Sequence, residues 1–134
     1  MELTEKEKEA LIRFVETVLG GARVQEYHEI YTDLAASTGT NTKDFTTVHP
    51  RRLRVITHVA AVNNISSCTF IILRHIDGGQ TAIDKTGVAP LIGETVNWDG
   101  FMILGEGDYT EVEWQGCTSG DDIYAVVSGY EIIK

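Results

Sequence analysis

From Pro50 onward the chain divides into short runs rich in Val, Ile, Thr, Tyr and Phe. The runs recur about every ten residues and are parted by Gly-, Asn- and Asp-bearing turns, a rhythm that suits a sandwich or barrel of antiparallel strands. Residues 53–62 read as the first strand and 68–76 as the second, whose Phe70-Ile71-Ile72-Leu73 centre implies burial on both faces. A short strand at 81–84 and a loop at 85–93 follow. Further strands are expected at 94–98, 101–104, 109–115 and 123–132, with Asp99-Gly100 as one of the dividing turns. In the 109–115 run Thr110, Val112 and Trp114 alternate with Tyr109, Glu111 and Glu113. That alternation places Trp114 in a core and Tyr109 at the surface. The expected fold is mainly β: an antiparallel β-sandwich over residues 50–134, jelly-roll-like or immunoglobulin-like, with the strand order left open.

A different grammar governs residues 1–49. Thr4 followed by Glu7 is a capping box, in which each side chain satisfies a free backbone N–H at a helix start. Leu11, Phe14, Val15, Val18 and Leu19 then fall on one helical stripe, and Gly20-Gly21 supplies a stop. Val24, Tyr27, Ile30, Tyr31 and Leu34 suit either a second helical face or an extended segment. Ser37-Thr38-Gly39-Thr40-Asn41-Thr42 is polar and turn-forming. The reading is a short amphipathic helix on an N-terminal arm. So short a helix is marginal alone, so its stripe must be buried either on its own sandwich or in a groove of another protein. Leu11, Phe14, Val15, Val18 and Leu19 are therefore the partner-binding candidates.

Charge excludes several classes. The chain carries net charge −9, and residues 86–133 hold nine carboxylates and no Lys or Arg. Phosphate backbones are repelled by such a stretch, so nucleic acid is not an expected partner. Arg51, Arg52 and Arg54 gather the positive charge, read as the solvated start of a strand. No uncharged run approaches the roughly 20 apolar residues of a membrane helix, and Met1-Glu2-Leu3-Thr4-Glu5 is unlike an export signal. Synthesis in a cytoplasm and no membrane contact are expected; Cys68 and Cys117 could pair, but with no export signal they are read as reduced and partly buried.

No Gly-rich phosphate loop, Gly-x-Ser-x-Gly elbow or His-Glu-x-x-His stands in the chain, so the motifs that carry a mechanism are missing and no catalytic residue, metal or cofactor is assigned. His58 and His75 are the best acid/base pair, on strands expected to be neighbours with Asp77 close by. Glu106, Asp108, Asp121 and Asp122 offer hard oxygens at turns, but in no calcium-loop spacing. Trp98 and Tyr109 are the candidates for stacking on a sugar ring.

One resemblance runs through the β-rich half. Val55-Ile56-Thr57-His58-Val59, Asn63-Asn64, Ser67-Cys68-Thr69-Phe70 and Asp77-Gly78-Gly79 begin it. Gly93-Glu94-Thr95-Val96, Trp98 through Leu104, Glu106-Gly107-Asp108, Gly116-Cys117-Thr118-Ser119-Gly120-Asp121 and Val127-Ser128-Gly129-Tyr130-Glu131 complete it. In order of strands and turns these residues resemble small β-sandwich virion proteins of tailed bacteriophages. The resemblance implies a non-enzymatic head, neck or tail component, made in a host cytoplasm and residing in the virion, that binds other virion proteins. Exposed strand edges suit a symmetric homo-oligomer such as a trimer. The alternative function is a carbohydrate-binding module for host-surface recognition.

Overall fold

The computed structural model describes residues 3–18 and 23–134. Among these residues one helix, α1 (Glu5–Val18), precedes eight strands: β1 (Arg23–Asp33), β2 (Gly39–Asp44), β3 (Arg52–Asn63), β4 (Phe70–Asp77), β5 (Gln80–Val88), β6 (Val96–Leu104), β7 (Tyr109–Cys117) and β8 (Ile123–Ile133). They form two four-stranded antiparallel sheets of order β1-β8-β3-β6 and β2-β7-β4-β5. Consecutive strands alternate between sheets except at the β4–β5 hairpin, and first and last strands lie side by side, which is a jelly roll. Of the two expected sandwich types this order selects the first.

The arm is not an arm. Residues 23–33 pair with β8 along their whole length, from Arg23↔Ile133 to Asp33↔Ile123, and residues 39–44 pair with β7. The expected boundary at residue 49 therefore falls between strands of one sandwich. Both segments are edge strands, whose weak apolar signal explains the misreading. On β1 the inward side is Tyr27 and Tyr31, whose hydroxyls donate to Glu29 and Asp33 on the same strand. Alternating Tyr and carboxylate reads as polar in sequence although it seals the edge of a core. The helix does begin where expected: the Glu7 N–H donates to Thr4 Oγ1 at 3.1 Å. Leu19 and the Gly20-Gly21 stop lie outside the described residues, as do the side chains of Val15 and Val18.

Asp99-Gly100 does not turn the chain either. The two expected strands at 94–98 and 101–104 are one strand, β6, in which three residue steps oppose two of β3 between Met102 and Asp99. Such a bulge bends a strand without ending it. The strand expected at 81–84 likewise runs on to Val88.

The core lies between the sheets. Ile56, Ile71, Leu73, Leu104, Val112, Trp114, Ile123 and Val127 are fully enclosed there, and the Trp114 indole N–H donates to the Val62 carbonyl at 3.3 Å. In β4 only Ile71 and Leu73 are buried, whereas Phe70 and Ile72 on the outer side are half-exposed, so burial on both faces does not hold. Gly129 marks the tightest approach: a Cβ there would stand 1.8 Å from the Val55 carbonyl oxygen. Only glycine lets β8 and β3 pair at that point.

Candidate functional site

Burial on the outer side of the β1-β8-β3-β6 sheet is the first clue to a working surface. Val55, Tyr130 and Ile132 point away from the main core yet are buried. Cross-strand register explains the patch: Val24 stands opposite Ile132, Ile132 opposite Leu53, and Val55 between Tyr130 and Ile103. Leu11, Ile12 and Phe14 of α1 face the same patch across a cavity of about 180 Å³ completed by Phe101. The helix thus roofs one end of the sheet incompletely. Phe14, Phe101 and Ile103 remain 65%, 57% and 59% exposed, and among the described residues no charged one lines the cavity. Contiguous apolar surface of this kind marks interaction sites.

Next to it the same face turns polar. His28, Ser128, His58 and Asp99 stand in register across β1, β8, β3 and β6. His58 Nδ1 lies 2.8 Å from Asp99 Oδ1, beside a cavity of about 150 Å³ lined also by Leu3, Lys8, Thr57 and Tyr130. The carboxylate orients the ring. Activating a serine needs a hydroxyl-to-imidazole hydrogen bond as well, and none joins Ser128 to His58. The structure does not bring His58 and His75 together, because β3 and β4 belong to opposite sheets. His75 instead sits 3.1 Å from both carboxylate oxygens of Asp84. Burial raises the Asp84 pKa, and the His75 hydrogen bond works against that rise.

The acidic turns hold the chain to itself. Asp108 accepts from the Gly78 and Gly105 N–H groups, each at 2.9 Å. Asp121 accepts from Asn63 Nδ2, Ser66 Oγ and the Thr118 N–H at 2.6–2.8 Å. Burial alone would raise both carboxyls, but these donors outweigh it and hold both below the usual carboxylate range. Among the described residues no group of three His, Cys, Asp or Glu side chains is placed to hold a metal ion. Arg54 also departs from expectation: it is enclosed, with Nε and Nη2 on Glu131 Oε2 at 3.3 and 3.2 Å, and not solvated. Its neighbour Arg52 reaches the other oxygen of the same carboxylate at 3.2 Å.

Trp98 and Tyr109 share no platform. Trp98 is on β6 and packs half-buried against the core, whereas Tyr109 is on β7 in the other sheet. Of the helical candidates Leu11 and Phe14 do line the apolar cavity. The sequence reading missed Val24, Val55, Phe101, Ile103, Tyr130 and Ile132 as part of the surface. Their signal was present in the i, i+2 spacing of Phe101 and Ile103 and of Tyr130 and Ile132, but which face that spacing served depended on the sheet.

No protein-family model and no curated protein matches the chain. Solved structures of similar arrangement include the Drosophila NLP-core, described for pentamer formation and histone binding, at 13% identity and TM-score 0.40 over 79% of this chain and 97% of that one. The Yersinia pseudotuberculosis-derived mitogen is 11% identical at TM-score 0.37, covering 80% of this chain and 85% of that one. Infectious bursal disease virus VP2 of a subviral particle is 7% identical at TM-score 0.30, covering 86% of this chain and 42% of that one. These likenesses concern strand arrangement alone.

Proposed function

We propose that the chain is a non-enzymatic structural protein of a tailed-phage virion, a head decoration, neck or tail component that binds neighbouring virion proteins and self-associates. The observation that carries this reading is the uncharged apolar surface running from Leu11 and Phe14 of α1 across to Phe101 and Ile103 on the edge strand β6. Edge strands are usually protected by charge, shortness or distortion. Strand β1 carries Arg23, Glu26, Glu29 and Asp33, β2 is six residues long with Lys43 and Asp44, and β5 bears Asp84 and Lys85. On β6 the single charge is Asp99, already engaged by His58, so its bulge is the chief protection. A molecule of net charge −9 repels acidic neighbours almost everywhere else, which makes this neutral strip the favoured place for contact. The resemblance of residues 50–132 to phage virion proteins agrees with a binding role.

The test is Phe101→Glu with Ile103→Glu. These side chains already face solvent, so the sandwich should fold with an unchanged far-ultraviolet spectrum. Light scattering should show a smaller assembly than wild type, and the variant should fail to join particles in a phage complementation assay. Normal incorporation of the folded variant would overturn the proposal.

A further inference from the structure

Strands β4 and β7 pair as far as Phe70↔Gln115. Just beyond, Gly116 takes φ of 79°, a conformation open to glycine that returns the end of β7 to the core. There Cys117 meets Cys68. Both are free thiols, each 4% exposed, with Sγ atoms 4.0 Å apart. Asn63 Nδ2 donates to Cys68 Sγ at 3.4 Å, and the Cys117 thiol points toward the Trp114 carbonyl. No other sulfhydryl exists in the chain, and the pair needs to close by only about 2 Å to reach bonding distance.

We propose that Cys68 and Cys117 are a conditional disulfide site, thiols while the chain folds in a reducing medium and one internal disulfide after exchange with a small disulfide such as oxidised glutathione. In the first step one protein thiolate attacks the small disulfide, forming a mixed disulfide and releasing one glutathione. In the second the other protein thiolate attacks the sulfur of that mixed disulfide and expels the second glutathione. Two protein thiols and one glutathione disulfide thus yield one protein disulfide and two glutathione thiols, with the thiol protons passing to the leaving groups. The bond would close a loop of sequence separation 49 that contains β4, β5, β6 and β7. It would act mainly by restricting the unfolded chain.

The native pair is slow to react. Burial, then the adjacent Cys68, pushes the Cys117 thiol up to about 12, so thiolate is scarce and exchange requires local opening. The segments flanking Cys68 and Cys117 are tied down: the Thr69 N–H donates to the Gln115 carbonyl and the Ala36 N–H to the Asp121 carbonyl, at 2.8 and 3.0 Å.

The experiment takes the full-length chain in oxidised glutathione, with and without mild urea, followed by intact mass, free-thiol titration and thermal melts. The expected product is a chain lighter by two hydrogens, with both thiols lost together and urea accelerating the loss. It should melt roughly 5–15 °C higher than the reduced form and return on dithiothreitol treatment. Cys68→Ser should abolish the oxidant-dependent shift; should that variant not fold, the wild-type mass and melts still decide. A lasting glutathione adduct, a chain-to-chain cross-link, two thiols surviving oxidised glutathione in urea, or a lower melting temperature would each overturn the proposal.

Discussion

Arg54 is only 1% exposed, so each of its donor nitrogens needs a partner, and each has one. It donates to Glu131, to Thr46 Oγ1 and to the Thr46 and Thr47 carbonyls, and its carbon lies 3.9 Å over the Tyr27 ring. Removing one member of a buried pair strips the other of its partner, but Arg52 still bonds Glu131, so Arg54→Met should cost about 2–3 kcal/mol in urea denaturation, the low end for such pairs. Adding Glu131→Leu should recover most of that loss. Asp121 gives a pH dependence of definite sign. Its folded pKa is depressed, so its stabilisation is complete above the unfolded value near about 4 and is lost as pH falls through the folded one. Unfolding free energy should therefore decline with acidification below that point, and Asp121→Asn should flatten the decline. At neutral pH the same variant should cost about 1–3 kcal/mol, because Asn63, Ser66 and Thr118 lose a charged acceptor. Neither residue declares its role in sequence. A lone Arg near a strand start and an Asp in a Gly-rich turn are ordinary at a surface, and only the fold brings Glu131 to one and three donors to the other.

At the scale of elements, signal strength follows how much apolar face an element must bury. Central strands β3, β7 and β8 were legible because their inward residues, such as Val59, Val112 and Val127, are enclosed apolar groups. Edge strands β1 and β2 were not, since the inward Tyr-carboxylate pairs of β1 look hydrophilic and β2 is a polar Gly-Thr-Asn-Thr-Lys-Asp run. The helix was legible from its cap. This contrast sets up a truncation experiment. Removing residues 1–18 should leave a cooperative thermal transition, because the eight strands stay intact and the helix covers only an outer patch. Removing residues 1–47 deletes β1 and β2, taking the enclosed Tyr27 and Phe45 out of the core and exposing the edges of β8 and β7. The second truncation should show no cooperative unfolding by circular dichroism. A folded product would mean that β1 and β2 are dispensable after all.

Across the whole molecule nearly every sheet contact joins distant parts of the chain. Arg23 pairs with Ile133, Arg54 with Glu131, and Asn41 with Trp114. Such topology must close long loops before the contacts that reward closure form, so refolding from urea should take milliseconds to seconds and not microseconds, as read by stopped-flow Trp fluorescence. By itself the sequence determined that this chain is a capped helix followed by a β-sandwich, because cap chemistry, turn residues and strand alternation are local and act over a few positions. Tertiary structure alone decided that residues 23–44 belong to the sandwich, that His58 faces Asp99 and not His75, and that Phe14 lines one cavity with Phe101 and Ile103. Each of these depends on strand order. Pairing between remote segments is chosen by burial of the whole core, and no window of neighbouring residues contains that information.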